Sequence, residues 1–368
     1  MTRLGVLLLY GGRSAEHEVS CVSARHVAAF LDPGRYQVLA VGITKQGAWV
    51  LPAASEPVLL GEALDVPDEA FVAEGSPVAL VGQPGRCRLL SLASGGEEIG
   101  PDLGVVFPVL HGPYGEDGTL QGLLELADLP YVGSGVASSA VGMDKRKMKV
   151  AFQAEGIPMA PWRPVYASAW RDGEHDSLRS VEEIGFPCFV KPAGLGSSVG
   201  VSKCSTAGEL AGALELAFTY DPTALVEEAI SGREIECAVL GNESPVASVC
   251  GEIIHAGEFY DYESKYLDST SEAVIPASIP GPVCELVRSY SLQAFKAVDA
   301  AGLSRIDFFY EEGRRGVLIN EINTMPGFTT ISMYPKLWEA SGIAYGELLD
   351  RLVDLALERY RSKPRPVF

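Results

Sequence analysis

The residues of this chain best suited to chemistry are two carboxylates and an amide near its C-terminal end. Asp307 lies in one apolar segment, Glu321 and Asn323 lie in the next, and the turn sequence EEGRRG separates the two. If these segments form a hairpin symmetric about Arg314, residue 307 faces 321 and residue 305 faces 323. Facing residues in an antiparallel pair share a side of the sheet, as do residues two apart. The three side chains would then project from one face together with Arg305.

Two interpretations of this face remain open on spacing alone. Carboxylate and amide oxygens at close quarters call for a hard cation, and oxygen ligands select Mg²⁺ or Mn²⁺. The alternative is a solvated strand face on which Arg305 and Asp307 form an ion pair.

The loop AGLGSSVG, residues 193–200, is a second candidate because it follows the apolar segment CFVK. Glycines let the backbone approach a phosphate, and successive N–H groups can hold an anion. The loop does not match the Walker A motif, and its glycine spacing misses the dinucleotide fingerprint by one residue. If the loop is considered without its neighbours, an ordinary hairpin turn is the favoured interpretation. Lys191 at the end of the preceding strand changes that balance, since nucleotide phosphates and their metal require both a cation and carboxylates.

Two N-terminal loops, GGRSAEHE and HGPYGEDG, each follow an apolar segment. Ligands of open α/β sheets bind beyond the carboxyl ends of the strands, which is where both loops would lie. A helix is expected to begin near Ser14. Taken singly, Glu16 could merely complement the dipole of that helix, and Asp117 could merely cap the next one.

These residues must be positioned by several lobes, because a length of 368 residues indicates two or three domains. The segments LGVLLLY and LGVVFPVLHG are apolar throughout, which predicts parallel strands covered on both faces of an α/β lobe. Residues 52–100 are interpreted as an irregular insertion with small strands. MDKRKMKVAFQAEGIP predicts a basic amphipathic helix, TALVEEAISGREIECAVLG two strands, and DYESKYLDSTSEAVIP a functional loop or lid.

Composition excludes several classes of function. The 48 Asp and Glu residues exceed the 29 Lys and Arg residues and give a formal net charge of -19, which argues against nucleic-acid and anionic-membrane partners. No segment reaches the roughly 18 apolar residues of a membrane span. The seven cysteines contain no C-x-x-C pair, which is typical of a reduced cytoplasmic protein, and the five isolated histidines argue against zinc.

Taken together, the motifs resemble those of the D-alanine–D-alanine ligases, members of the ATP-grasp superfamily. The resemblance covers nearly the whole chain and is weakest over 52–100; in order, it rests on GGRSAEHEVS, HGPYGEDGTLQG, MDK, FVKPAGLGSSVGV, YDYESKY, RIDFF and NEINTMPGFTTISMYP. It implies an α/β chain with an ATP-grasp fold and an N-terminal parallel-sheet lobe. The implied domains are an N-terminal substrate lobe (1–140), a central lobe (141–226) and a C-terminal lobe (227–368), with ATP between the last two.

The resemblance also implies a reaction. ATP and two D-alanine molecules would give D-alanyl-D-alanine, ADP and phosphate through a D-alanyl phosphate intermediate, for peptidoglycan synthesis. Nucleotide contacts would come from Lys145, Lys191, Lys265, Glu227 and Glu234. Two Mg²⁺ or Mn²⁺ ions would be bound by Asp307, Glu321 and Asn323, which agrees with the hairpin argument made from spacing.

The remaining implied roles concern the two D-alanines. Glu16 would pair with the ammonium of the first, and Ser197 and Tyr266 would link to Glu16 and close the lid. Arg305 and the backbone N–H of Gly327 would stabilise the oxyanion of the second step. Ser332 and the backbone of Met333 would receive the carboxylate of the second D-alanine, and His111 would lie near the first.

Other functions compete with this interpretation. A D-alanine–D-lactate ligase of the same fold is the nearest, and SKYLDS favours the dipeptide because it keeps Lys265 and Tyr266. HGPYGEDG and NTMPGFT disfavour other ATP-grasp ligases, and no dinucleotide fingerprint supports a NAD-type dehydrogenase. A non-catalytic amino-acid binder would not explain Lys145 and Lys191 together with the acidic set. The resemblance further suggests a homodimer.

Overall fold

The structure is a computed structural model, and it describes residues 3–52, 74–83, 86–172, 181, 183–254, 272–329 and 331–364. The predicted lid residues Lys265 and Tyr266 lie outside these ranges. No helix in the described part of the chain is long and apolar enough to cross a membrane.

The first sheet has the strand order β6-β5-β4-β3-β2-β1-β7. Its strands are β1 (Leu4–Gly11), β2 (Tyr36–Ile43), β3 (Trp49–Leu51), β4 (Ser76–Gln83), β5 (Arg86–Ser91), β6 (Glu97–Ile99) and β7 (Leu103–Pro108). β1 pairs in parallel with β2 and β7, and β2 turns into β3 as a hairpin. The small strands predicted for 52–100 are confirmed as β4, β5 and β6.

The prediction that β1 is covered on both faces is also confirmed. Val6, Leu8 and Tyr10 pack into one hydrophobic cluster, whereas Leu7 and Leu9 pack into another on the opposite face. Helix α1 (His17–Phe30) contributes to the first cluster and helix α2 (Thr119–Leu126) to the second. A strand between two helical layers has no polar face, which is why the segment is apolar throughout.

The second sheet is antiparallel and has the order β10-β9-β11-β8. Its strands are β8 (Trp162–Tyr166), β9 (Cys188–Pro192), β10 (Ser202–Cys204) and β11 (Thr223–Glu228). The predicted sequence of strand, glycine-rich loop and strand is confirmed as β9 and β10, which pair directly. The helices that precede and border this sheet are α3 (Val136–Met143), α4 (Lys145–Ala154), α5 (Ala167–Arg171) and α6 (Ala207–Phe218).

The third sheet is antiparallel and has the order β14-β13-β12-β15-β16. Its strands are β12 (Arg233–Gly241), β13 (Val246–Ile254), β14 (Glu272–Val274), β15 (Gly302–Glu311) and β16 (Gly316–Asn323). One face packs on α4 and α7 (Gly281–Ala297). The other face joins α8 (Met333–Ala340) and α9 (Tyr345–Ser362) in the cluster that also holds Val6 and Leu8 of the first sheet.

The sheets bear on the predicted domain boundaries. The boundary at 140/141 falls within α3, and the boundary at 226/227 falls within β11, a strand of the second sheet. The chain passes from the second sheet to the third over residues 229–232. The division into three domains itself stays a prediction.

Candidate active site

The carboxylate face of the third sheet is created by a β-bulge. Near the turn, Phe308 pairs with Ile319, but beyond it Asp307 pairs with Glu321, so Asn320 is an extra residue on β16. Had the register continued unchanged, Glu321 and Asn323 would project from the side of the sheet opposite Asp307. The predicted pairs 307–321 and 305–323 are confirmed, but the bulge produces them and not a symmetric turn.

Asp307 is the centre of a polar cluster on this face. Arg305 donates to its carboxylate from Nε and Nη2, both at 2.7 Å, and the Asn323 amide nitrogen donates at 3.0 Å. Arg305 also lies 3.1 Å from Glu236, which the neighbouring β12 places opposite Asp307. The ion pair of the alternative interpretation is therefore present, and sequence reasoning missed Glu236 because only the sheet order brings β12 beside β15.

The same face is suited to a hard cation. Asp307, Glu321 and Asn323 supply two carboxylates and an amide oxygen, the donors that Mg²⁺ accepts. A group of three or more His, Cys, Asp or Glu side chains that could hold a metal does not occur among the described residues. The third predicted ligand is an amide, however, so the set fits Mg²⁺ better than a metal that needs nitrogen or sulfur.

Two lysines share one buried carboxylate beside this face. Lys149 Nζ lies 2.6 Å from Oε1 of Glu227, and Lys191 Nζ lies 2.6 Å from Oε2. The side chains of Lys149 and Glu227 are 2% and 5% exposed, whereas that of Lys191 is 16% exposed. The sequence predicted a nucleotide contact for Glu227 and did not identify Lys149. In the structure both carboxylate oxygens of Glu227 face lysines. The nucleotide contact stays a prediction.

The electrostatic environment favours the ionised forms of Glu227 and Lys191. Burial by itself would raise the pKa of Glu227, but Lys149 and Lys191 outweigh it and lower the pKa to about 2. Burial would likewise lower the pKa of Lys191, but Glu227 raises it, with smaller contributions from Glu321 and Glu234. Lys191 therefore lies within electrostatic reach of the predicted metal ligand Glu321 and the predicted nucleotide contact Glu234.

The first residues of the glycine-rich loop are held by Lys145 and Asp221. Lys145 donates from Nζ to the carbonyl of Leu195 and from its backbone to Ala193, and Asp221 accepts from the N–H of Gly194 at 2.8 Å. Ser197 and Ser198 have φ values of 54° and 57°, a left-handed conformation that costs a non-glycine residue roughly 1 kcal/mol or more.

Ser197 differs from its prediction. Its hydroxyl oxygen is buried and makes no hydrogen bond with any residue that the structure describes, so the expected bond to Glu16 is not formed here. The loop nevertheless lies close to Glu16, since a Cβ on Gly196 would be 3.9 Å from Oε2 of that residue. A buried hydroxyl that has no partner among the described residues is suited to a polar ligand.

Glu16 lies at the carboxyl end of β1, where the sequence predicted it. Helix α1 begins at His17, later than expected, with Glu16 at its N-cap position, and Ser14 Oγ accepts from the N–H of Glu16. Gly112, in the loop after β7, approaches so closely that a Cβ there would be 3.0 Å from Glu16 Oε2. The two N-terminal loops therefore meet around this carboxylate, as the pairing of β1 with β7 requires.

His111 forms a buried bridge between the first and third sheets. Its Nδ1 lies 2.9 Å from the carbonyl oxygen of Met325, and its Nε2 lies 3.3 Å from Ser23 Oγ. A carbonyl oxygen only accepts, so Nδ1 carries the proton. Burial lowers the pKa of His111 despite the opposing effect of Glu16, which leaves Nε2 to accept from the Ser23 hydroxyl.

Glu116 makes a second bridge that sequence reasoning did not identify. Its carboxylate accepts from the N–H of Gly112 and from the N–H of Met325, both at 2.8 Å. Burial first, and then the charge of Glu16, raise the pKa of Glu116 to about 8. Only the tertiary contact with Met325 distinguishes Glu116 from the loop-local carboxylate of Asp117, which accepts from the N–H groups of Tyr114 and Thr119.

In the loop after β16, Ser332 forms hydrogen bonds with Thr329. Ser332 Oγ accepts from the N–H of Thr329 at 3.0 Å and lies 2.8 Å from the Thr329 hydroxyl. A Cβ on Gly327 would be only 2.8 Å from that oxygen, so a side chain there would not fit without movement. Gly327 and Ser332, predicted to contact the oxyanion and the second substrate, are therefore neighbours.

The predicted residues thus form connected groups around the meeting point of the three sheets. The charge of Arg305 affects Glu116, and the charges of Glu321 and Glu234 affect Lys191. Lys265 and Tyr266 lie outside the described residues, and their roles stay predictions.

Comparison with known proteins decides the family. Two family models match the chain, "D-ala D-ala ligase N-terminus" over residues 5–134 and "D-ala D-ala ligase C-terminus" over residues 151–354. The chain belongs to the D-alanine–D-alanine ligase family. The resemblance stated from the motifs is confirmed.

Relatives within the ligase family match over almost their whole length. The D-alanine–D-alanine ligase of Mycobacterium avium is 49% identical over 97% of this chain and 97% of its own. That of a Thermoanaerobacter species is 46% identical over 99% of both. The chain therefore includes both the N-terminal and the C-terminal part of the family.

Solved structures of ligases share the fold. The D-alanine-D-alanine ligase from Coxiella burnetii has a TM-score of 0.79 and 36% identity, covering 98% of this chain and 96% of its own. The VanG D-Ala:D-Ser ligase from Enterococcus faecalis has a TM-score of 0.82 and 32% identity, covering 96% and 100%. The predicted ATP-grasp fold with an N-terminal parallel-sheet lobe is confirmed.

Proposed function

We propose that the residues around Glu16, the glycine-rich loop and the β15–β16 face form the active site at which this chain joins two D-alanine molecules. As a member of its family, the chain is an ATP-dependent ligase that makes D-alanyl-D-alanine for peptidoglycan precursors. The observation that supports the location is the approach of the glycine-rich loop to Glu16. Gly196 lies in the loop between β9 and β10, and a Cβ there would be 3.9 Å from Oε2 of Glu16, which follows β1.

The residues fit the nucleotide and its metal. Lys145 contacts the glycine-rich loop from α4, and Lys191 lies just before that loop on β9. The buried Ser197 hydroxyl, which has no hydrogen-bond partner among the described residues, adds a polar group. We assign the β- and γ-phosphates to these lysines and Glu234 to the ribose or adenine. Asp307, Glu321 and Asn323 would hold two Mg²⁺ or Mn²⁺ ions, which supply charge neutralisation during phosphoryl transfer.

In the first step, the carboxylate of the first D-alanine attacks the γ-phosphorus, ADP leaves, and a D-alanyl phosphate forms. Glu16 pairs with the ammonium of this substrate and so turns its carboxylate toward the glycine-rich loop. His111 and Glu116 hold the loop around Glu16 against the residues at Met325. Fixing the substrate in this way converts a bimolecular attack into an effectively intramolecular one.

In the second step, the amine of the second D-alanine attacks the acyl carbon, and phosphate leaves from the tetrahedral intermediate. Arg305 and the N–H of Gly327 stabilise the oxyanion, which exists only in this step, so they favour the transition state over the bound substrates. Asp307 fixes the Arg305 guanidinium through two hydrogen bonds. Ser332 and the Met333 backbone receive the carboxylate of the incoming D-alanine.

The acyl phosphate must be kept from water. We assign this to the segment DYESKYLDS, with Lys265 reaching the γ-phosphate and Tyr266 joining Ser197 and Glu16. Cytoplasmic location and a homodimer are part of the proposal. All seven cysteines lie in the described ranges and are free thiols, which agrees with a reducing compartment; light scattering on the purified chain tests the dimer.

Phosphate release from ATP and Mg²⁺ tests the assignment. Release is expected with D-alanine, with dipeptide as product, and not with the control L-alanine. D-lactate and D-serine are each added to D-alanine in parallel reactions. A mixed product that dominates at neutral pH would move the second substrate away from D-alanine, and no release with any acceptor would overturn the proposed reaction.

A further inference from the structure

We propose that Lys149 is a positioning residue of the ligase reaction, which keeps Lys191 available for a nucleotide phosphate and holds the bulge that brings Glu321 to the metal face. The inference rests on the proposed function. It concerns a residue that lies behind the site and that the reaction scheme leaves unassigned.

The burial of Lys149 needs an explanation. Helix α4 presents Lys145 and Lys149 on one side, one turn apart, whereas Lys147 is exposed. The side chain of Lys149 is only 2% exposed. A lysine is almost never buried to this extent without a partner, because desolvating its ammonium is costly.

The first contact of Lys149 sets the charge around Lys191. The Glu227 carboxylate is divided between the two lysines, one oxygen to each. The group of three therefore carries a surplus positive charge, and the more exposed lysine, Lys191, is the one that can present it to a phosphate. Without Lys149, Glu227 and Lys191 would form a neutral pair, and the attraction for a phosphate would fall.

The second contact of Lys149 is with the β-bulge. Its Nζ lies 3.4 Å from the carbonyl oxygen of Asn320, the extra residue of β16. The adjacent Met148 Sδ accepts from the N–H of Ile322, also at 3.4 Å. Two consecutive side chains of α4 thus satisfy backbone groups on either side of Glu321, which the bulge turns toward Asp307.

Helix α4 consequently supports both halves of the site. Lys145 holds the glycine-rich loop through Leu195, and Lys149 holds Glu227 and Asn320. Replacing Lys149 should therefore affect the nucleotide and the metal and leave the D-alanine contacts unchanged. A residue needed only for folding would show no such selectivity.

The test compares Lys149→Met with Lys147→Met, its exposed neighbour on the same helix. For Lys149→Met we expect KM for ATP and the half-saturating Mg²⁺ concentration to rise about tenfold, the effect of losing one charged contact. KM for D-alanine should stay within about twofold, and Lys147→Met should match the wild type. Lys149→Arg, which keeps the charge, should restore much of the ATP affinity.

Binding of ADP with Mg²⁺, measured by calorimetry, gives a readout that does not require turnover. Weaker ADP binding by Lys149→Met than by the wild type would support the inference. If the wild type released no phosphate with D-alanine, that result would overturn the proposed reaction but not the inference about Lys149. Unchanged ATP and Mg²⁺ constants, or a rise in KM for D-alanine as large as that for ATP, would overturn the inference. If Lys149→Met does not fold, Lys149→Gln is compared with Lys147→Gln instead, and the same changes in the ATP, Mg²⁺ and D-alanine constants decide the outcome.

Discussion

Replacing Glu227 with glutamine is expected to lower the free energy of unfolding at pH 7 by about 3 kcal/mol. The two lysines hold the pKa of this carboxyl at about 2, against an ordinary value of 4.5. Each pKa unit corresponds to about 1.4 kcal/mol, so the difference between the two values gives about 3 kcal/mol. The Glu227 side chain is only 5% exposed, so solvent screens its interaction with the lysines very little. Breaking a buried ion pair by removing one partner typically costs about 3–5 kcal/mol, and this range agrees with the value obtained from the pKa.

The sign of the pH dependence follows from the same values. A carboxyl whose pKa is lower in the folded than in the unfolded chain stabilises the fold above about pH 4.5. That contribution is lost as the pH falls from about 4.5 toward about 2. The wild type should lose this stability over that range, whereas the glutamine variant, which has no titratable group at residue 227, should show a flatter profile.

Urea unfolding followed by tryptophan fluorescence measures the effect, since Trp162 of β8 is paired with Glu227 of β11. The matched control is Glu228→Gln on the same strand. Glu228 pairs with Arg315 at 2.7 Å, but its side chain is 28% exposed, so a loss of at most about 1 kcal/mol is expected. A Glu227→Gln variant within about 1 kcal/mol of the wild type, or no less stable than the control, would refute the reasoning.

Three further outcomes are expected. Asp307→Asn should raise the Mg²⁺ requirement about tenfold because a carboxylate ligand becomes a neutral amide; an unaltered Mg²⁺ titration would remove Asp307 from the metal site. Tyr266→Phe should slow dipeptide synthesis or broaden the second substrate, and an unchanged rate with an unchanged preference for D-alanine over D-lactate would count against a lid role. Glu116→Gln should flatten the pH dependence of the free energy of unfolding, measured by urea unfolding, and should gain stability relative to the wild type as the pH rises from about 4.5 toward 8. The pKa of Glu116 is raised to about 8, so its carboxyl stabilises the fold at low pH and loses that contribution as the pH rises toward 8; a Gln variant that retained this pH dependence would contradict the assignment.

Local patterns in the sequence were sufficient for the strands that carry the N-terminal loops. The apolar segments LGVLLLY and LGVVFPVLHG predicted buried parallel strands, and β1 and β7 pair as neighbours. Burial on both faces leaves no polar alternation, so the pattern can be interpreted without knowledge of the partners. The placement of Glu16 and the HGPYGEDG loop side by side follows, because parallel strands end at one edge.

The sequence was insufficient where a residue's role depends on what packs against it. Glu116 and Asp117 are adjacent carboxylates in one motif, yet only Glu116 reaches Met325, which lies 209 residues away in the chain. Lys149 belongs to a basic helix in which Lys145 and Lys147 are equally charged. Its burial depends on the sheet that covers that side of α4, and no local pattern reports it.

The chemistry of the site was therefore present in the sequence as residue types, motif order and the spacing of Asp307, Glu321 and Asn323. Their common face was decided by the tertiary structure. A hairpin with a regular register would have separated Glu321 from Asp307, and the extra residue Asn320 reverses this by rotating the end of β16. Such a bulge is stable only if its displaced backbone groups find partners, and helix α4 provides them from outside the hairpin.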